Sequence, residues 1–260
     1  MSLPVYYVDA FTSKLFSGNP AAVIFSDLND SDLMQKIAAE NNLSETAFIR
    51  KKDDIYFIRW FAPSCEIDLC GHATIASAFV YFNFIDKVAT SFFVDSREHG
   101  RLEVKRDDDS YILNFPADNL TAFNNLSRIE AAIGEHPVEI YEGRDDLLVI
   151  LESEKLVKNL SPDFSIIKSI NKRGLIVSAQ GKECDFVSRC FYPATGVNED
   201  PVTGSAHTSL TPYWSQRLGK IKLEAKQLSM RGGLLSCELK GSRVLIGGNA
   251  TLYMKGEIFL

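Results

Sequence analysis

The chain has no apolar run long enough to cross a membrane, no cluster of basic residues and no low-complexity segment. The first absence argues against a membrane protein. The second, with a formal net charge of -6, argues against a nucleic-acid surface, which needs clustered Lys and Arg. Cysteines are few. Five of them, an odd number at irregular spacing, suit a reducing cytosol better than a disulfide framework. No stretch fits Gly-x4-Gly-Lys-Ser/Thr or Gly-x-Gly-x-x-Gly, so neither a phosphate loop nor a dinucleotide-binding turn is expected. No charged leader with an apolar centre opens the chain, and a cytoplasmic location is expected.

What is present is ordinary in bulk and unusual in detail. At 260 residues, 45% hydrophobic and 24% charged, the chain can bury one large core or two of ordinary size. Strands are expected at Val5 to Val8, Thr46 to Ile49, Ile55 to Phe61 and, as hairpins, at Ser91 to Val94, Gly100 to Lys105 and Tyr111 to Phe115. Asp30 or Ser31 can cap a helix over Asp32 to Asn41. Gly71 to Phe84 is apolar nearly all round, which predicts a helix inside the fold. After a hinge at Phe115 to Asn119 the order recurs. Helices are expected at Ser127 to Ile133 and from Ser161 through Ile170, with strands at Leu147 to Leu151, Leu175 to Ser178 and Asp185 to Phe191. A second central helix follows from near Gly204. Short strands close the chain at Gln227 to Met230, Leu234 to Leu239, Arg243 to Ile246, Thr251 to Met254 and Glu257 to Leu260. The reading is α+β, two similar halves, each a curved, mostly antiparallel sheet with one central helix. The halves are 1–115 and 116–260, with the final strand free to return to the first.

Two segments are versions of each other. Arg59-Trp60-Phe61 leads through Pro63 to Glu66 and Cys70-Gly71-His72-Ala73; Arg189-Cys190-Phe191 leads through Pro193 to Glu199 and Thr203-Gly204-Ser205-Ala206. Both read Arg-x-Phe, Pro, then Glu-x4-Gly-x-Ala, as a duplicated half would. Gly71 and Gly204 then open the two central helices, where backbone N–H groups and the helix dipole favour an anion such as a carboxylate; the alternative is a tight turn that needed glycine. His72, in the first turn, can donate a hydrogen bond or move a proton near neutral pH, and His207, deeper in its helix, reads as a core histidine. Asp200 and Ser205 can bind a ligand or cap a helix. Glu45, at the mouth of a strand, can take a proton from one carbon and return it to another, or sit solvated at a strand end. Cys65, Asp68, Cys70 and His72 crowd together, but Cys-x4-Cys-x-His is not a usual zinc spacing, and no metal is expected. A Cys70 nucleophile paired with a histidine stays open.

Val8-Asp9-Ala10-Phe11 with Gly18-Asn19-Pro20-Ala21, Asn42-Leu43-Ser44-Glu45-Thr46, Arg59 through Thr74, and Gly196 through His207 resemble the PhzF-like phenazine-biosynthesis isomerase family, whose fold is that of diaminopimelate epimerase. The resemblance implies a site in the cleft between two similar halves and an isomerase that works without a cofactor. The founding isomerase acts on trans-2,3-dihydro-3-hydroxyanthranilate. The resemblance makes Glu45 the acid/base, gives His72 and Asp200 catalytic roles, and places Asn19, Gly71, Gly204 and Ser205 against a small carboxylate-bearing substrate. It also implies a homodimer. The epimerase relatives use one cysteine from each half, whereas this chain offers Cys70 and Thr203, so a two-thiol racemisation is not expected. The competing readings are a Cys70-dependent epimerase or hydrolase and a non-catalytic binding protein on the same scaffold.

Overall fold

In the computed structural model, which describes residues 2–260, the chain divides into two units. One comprises residues up to Asn114 together with Gly247–Leu260, the other Phe115–Ile246. The expected division at 115/116 leaves the final strand free to return to the first half, and the last fourteen residues do return. In the structure they pair with the first strand of the first unit, Ser2 opposite Phe259 and Ala10 opposite Ala250.

The first unit contains β1 (Ser2–Ala10), β2 (Asn19–Phe25), α1 (Ser31–Asn41), β3 (Glu45–Lys52), β4 (Ile55–Phe61), β5 (Glu66–Ile67), α2 (Gly71–Val80), β6 (Ser91–Ser96), β7 (Gly100–Asp107) and the start of β8 (Ser110–Pro116). β1 and β2 are antiparallel, β2 and β3 parallel, and β3, β4 and β5 successively antiparallel. β4 also pairs in parallel with β6, which leads by antiparallel hairpins to β7 and β8. Asp30 caps α1 by accepting from the N–H groups of Asp32 and Leu33. Met34, Ile37 and Ala38 of α1 pack with Ala22, Ile24, Phe48 and Phe61 of the sheet. α2 is Gly-His-Ala-Thr-Ile-Ala-Ser-Ala-Phe-Val, apolar or small around its circumference, and it packs on β1, β2, β3 and β7 with nine of its ten residues buried. Thr74 and Ser77, the hydroxyl residues inside it, donate to the carbonyls of Cys70 and Ala73, four residues back, so their burial leaves no orphaned donor. The helix runs on as a π-helical turn at Tyr81–Ile85.

The second unit contains β9 (Thr121–Ala122), α3 (Leu126–Ile133), β10 (Glu139–Glu142), β11 (Asp146–Ile150), α4 (Glu154–Asn159), α5 (Phe164–Lys168), β12 (Gly174–Gln180), β13 (Phe186–Tyr192), β14 (Val197–Asp200), α6 (His207–Leu218), β15 (Lys222–Gln227), β16 (Gly233–Lys240) and the start of β17 (Arg243–Phe259). β11 and β12 are parallel, β12, β13 and β14 successively antiparallel, and β13 pairs in parallel with β15, which turns back into β16. This is the pairing scheme of β2 to β7 over again.

Four expectations need correction. The second central helix begins at His207, because Gly204, Ser205 and Ala206 form a tighter turn in which the N–H groups of His207 and Thr208 reach back three residues to Gly204 and Ser205. A helix at Glu154–Asn159, capped by Ser153, precedes the expected one. β15 lies at Lys222–Gln227, before the strand expected at Gln227 to Met230; its buried positions Leu223, Ala225 and Gln227 alternate correctly but only one is strongly apolar. The last three short strands are one continuous β17, which passes through Gly247-Gly248 with its register shifting opposite Tyr7 and Val8.

Candidate active site

The repeated Arg and Glu bind each other. In the first unit Arg59 forks onto Glu66, Nε to Oε1 at 2.6 Å and Nη2 to Oε2 at 2.7 Å, and its guanidinium lies 5.0 Å from the Phe61 ring centre. In the second, Arg189 does the same to Glu199, at 2.7 and 2.9 Å, over Phe191 at 5.0 Å. These bidentate pairs tie β4 to β5 and β13 to β14, immediately before the turns into α2 and α6. The motif's Arg-x-Phe and Glu are therefore a brace, and the chemistry lies in what the brace positions.

In the first unit that is a cluster of four side chains, Glu45, His72, Asn19 and Cys70. Glu45 is the first residue of β3, where it pairs with Ala21 of β2, and its carboxylate Oε2 lies 3.0 Å from His72 Nε2. The ring of His72 is buried. On its other side Asn19 Nδ2 lies 3.1 Å from Nδ1. An amide nitrogen only donates, so this contact belongs to the neutral ring, with its proton on Nε2 facing Glu45; in the charged ring Nδ1 also donates, and the Asn19 amide is turned to present its oxygen. Gly18 positions Asn19. Its backbone is left-handed at φ 70°, and a Cβ there would lie 2.2 Å from the carbonyl oxygen of Ala10. Cys70 Sγ is 3.5 Å from Nδ1 and 3.9 Å from Nε2. Burial opposes a charge on His72, but the Cys70 sulfur and the Glu45 carboxylate beside it more than offset that, and its pKa is raised well above the usual 6.5. Burial pushes the Cys70 thiol up, with the Glu45 charge adding to the effect. No side chain caps α2.

Asn19, Glu45, Gly71 and His72, with Cys70, are thus brought together. Glu45 Oε2, Cys70 Sγ and a His72 nitrogen lie within 4.8 Å of one another, near enough to share one ion. The imidazole is engaged on both nitrogens, however, so a metal would have to displace the Glu45 or the Asn19 contact. Cys65 is exposed and does not belong to this set.

Asp200, Gly204 and Ser205 lie together in the second unit. Asp200 Oδ2 accepts from the Thr203 hydroxyl at 2.5 Å. Gln227, fully buried on β15, holds the loop from both ends: its Nε2 donates to the Asp200 carbonyl at 2.8 Å and its Oε1 accepts from the Thr203 N–H at 2.9 Å. Ser205 Oγ accepts from Arg173 Nη2 at 3.3 Å, and Arg173 in turn forks onto the buried Asp146. His207 is a core residue. Its Nδ1 donates to the Thr203 carbonyl at 2.8 Å, and burial lowers its pKa to about 4. Gln227, Arg173 and Asp146 escaped the sequence reading. The available signal was polar residues at the inward positions of strands, which stands out only once the strand register is known.

The register also shows which second-unit position is equivalent to each first-unit residue. Thr46 pairs with Phe61 as Leu175 pairs with Phe191, so Glu45 corresponds to Gly174, and Cys70 and His72 to Thr203 and Ser205. A Cβ on Gly174 would fall 2.1 Å from the Phe191 carbonyl oxygen and 2.4 Å from Tyr192 Cδ1. No side chain fits where the first unit carries its carboxylate.

Two α+β units of repeated topology, one bearing a half-buried Glu45 against a buried His72 at the mouth of its sheet, define the fold class of the PhzF-like and diaminopimelate epimerase-like isomerases. A predicted epimerase from Pseudomonas aeruginosa shares the fold at TM-score 0.78 and 16% identity, over 99% of each chain. The chain belongs to the phenazine biosynthesis-like protein family, whose pattern matches residues 8–256. It is 49% identical, over 100% of both chains, to an uncharacterized isomerase of Pseudomonas aeruginosa. It is also similar to the crystal structure of a phenazine biosynthesis protein PhzF family member from Enterococcus faecalis, at TM-score 0.97 and 48% identity over 100% of each chain. No helix among the described residues is long and apolar enough to cross a membrane.

Proposed function

We propose that the protein is a cofactor-independent isomerase that moves a proton on a small, carboxylate-bearing, cyclic or amino-acid-like substrate, with Glu45 as the acid/base. The observation that carries this is the 3.0 Å contact of Glu45 with buried His72, in a unit whose counterpart has no side chain at the equivalent position. Glu45 takes a proton from one substrate carbon as the carboxylate and returns it to another as the acid. His72 lies 3.0 Å from the carboxylate and orients it, so the pair carries one extra proton while negative charge sits on the substrate and gives that proton back when the second carbon is protonated. In this reading Gly71 and Asn19 line the same site, Asp200 orients a polar substrate group, and Gly204 and Ser205 bind the carboxylate. The relatives' description as isomerases and as phenazine biosynthesis-like proteins supports the reaction class, and the compound to try first is trans-2,3-dihydro-3-hydroxyanthranilate, the substrate of the founding isomerase that the sequence resembles. The test is solvent-deuterium incorporation into that compound, followed by NMR. The wild type incorporates deuterium at the migrating position and Glu45→Gln does not; near-normal exchange by the variant sinks the assignment.

One observation favours a second reading: Cys70 Sγ lies beside His72. Its raised pKa and the Thr203 counterpart weigh against a thiolate base. Cys70→Ser separates the two readings, since the Glu45 mechanism expects a loss of less than about tenfold where a thiolate mechanism expects activity to vanish.

A further inference from the structure

The residue before Gly174 has chemistry that the repeat alone does not explain. Arg173 sits at the mouth of β12, where its guanidinium centre lies 4.9 Å over the ring of Tyr192, the same ring that excludes a side chain from Gly174. Its Nε donates to Asp146 Oδ1 at 2.9 Å, while Nη2 donates to Asp146 Oδ2 and, at 3.3 Å, to Ser205 Oγ. A guanidinium carries five N–H donors in a fixed plane, and these contacts use the three on Nε and Nη2. Nη1 keeps two donors with no acceptor among the described residues, and 34% of the Arg173 side chain is open to solvent, whereas the Asp146 side chain is 5% exposed. Ser205 accepts from Arg173 through its oxygen, so its own O–H proton is free to be donated elsewhere. The Nη2 proton that reaches Ser205 and one Nη1 proton lie on the same edge of the guanidinium plane. An oxyanion facing that edge can accept from both Nη1–H and the Ser205 hydroxyl.

We propose that Arg173 Nη1 and the Ser205 hydroxyl form a carboxylate receptor in the second unit, held in place by the buried Asp146 and by the Tyr192 ring. The inference rests on the isomerase reading for its ligand class and adds to it a residue that the paired motifs do not contain. Asp146 neutralises the guanidinium charge, so the receptor selects its ligand by hydrogen-bond geometry more than by net charge. Arg173 is fixed before the ligand arrives, which removes the entropy cost of ordering a long side chain on binding.

The test is calorimetric binding of two probes that differ only in the group at issue, 3-hydroxyanthranilate and 2-aminophenol, to the full chain. The wild type binds the acid more tightly. Arg173→Met lowers affinity for the acid by about tenfold, leaves the aminophenol unchanged, and Arg173→Lys recovers part of the loss. Because Arg173→Met strands the Asp146 carboxylate, the same comparison is made in an Asp146→Asn, Arg173→Met double variant, which buries no unpaired charge. Equal losses for the two probes, or no preference for the acid in the wild type, overturn the receptor. Failure of the isomerase reading looks different: Glu45→Gln then keeps deuterium exchange while the Arg173-dependent preference for the acid persists.

Discussion

The two units share a pairing scheme and a brace, and they part at the residues the brace positions. Arg59–Glu66 and Arg189–Glu199 are alike to within about 0.2 Å and lean on equivalent phenylalanines. Beyond them Glu45 corresponds in position to Gly174, His72 to Ser205 and Cys70 to Thr203. What is kept in both units is what the fold needs, namely a bidentate ion pair that closes the turn into a central helix. What is kept in one is what a one-base proton transfer needs. The second unit instead supplies hydroxyls, an aspartate and a guanidinium, a set suited to recognition. That asymmetry favours a single carboxylate working on one substrate over two matched bases attacking opposite faces.

The largest effect should come from erasing the asymmetry in the first unit. Glu45→Gln should cut turnover by about a thousandfold, within the range for loss of a positioned acid/base, with the melting temperature nearly unchanged; stopped-time NMR of substrate and circular dichroism check the two halves of that statement. Building a side chain into the second unit should damage stability rather than chemistry. Gly174→Ala meets the Phe191 carbonyl and the Tyr192 ring, and should cost about 3 kcal/mol by denaturant unfolding, while Gly256→Ala, with no atom near its Cβ position and no left-handed backbone, costs little.

The two buried histidines sharpen the comparison through pH. His207 is held below its unfolded value, to about 4, so the unfolded chain binds the proton first as pH falls. Its contribution to stability is present above about pH 6.5 and is lost as pH drops toward about 4. His72 is raised instead, so its contribution is present below about pH 6.5 and is lost as pH climbs through its raised value. NMR titration should show His72 still charged at pH 7 and His207 neutral. A neutral His72 at pH 7 would break the Glu45–His72 picture. The smallest effect is expected at Cys70, where Cys70→Ser should cost less than about tenfold in rate.

Much of this contrast could be read before any coordinates. The two motifs gave the repeat, the all-round apolar stretch from Gly71 gave the first central helix, and Glu45 and His72 were both singled out. Their contact was not legible, because Glu45 starts a strand 27 positions before His72 and only the parallel pairing of β2 and β3 and the packing of α2 bring them to one mouth. The function of the shared Arg and Glu was illegible for the opposite reason: charged residues in a motif suggest a ligand, and here each is the other's partner. Arg173, Asp146 and Gln227 belong to no motif. Their role depends on strand register, on how β11, the residue before β12 and β15 present each one, and on a glycine whose missing Cβ matters only beside Phe191 and Tyr192. The length of β17 was hidden by Gly247-Gly248, which reads as a breaker and proves to be strand.

The return of β17 to β1 sets an order of events during synthesis. The second unit is continuous in sequence, Phe115–Ile246, and every pairing of β11 through β16 given above can form as soon as those residues have emerged from the ribosome. The first unit begins the chain yet cannot finish its sheet until the last residues arrive, since Ser2 waits for Phe259. The unit made first is therefore completed last, over a loop that contains the whole second unit. Its N-terminal strand must stay unpaired on one edge throughout translation, which makes it the segment most exposed to mispairing with neighbouring nascent chains.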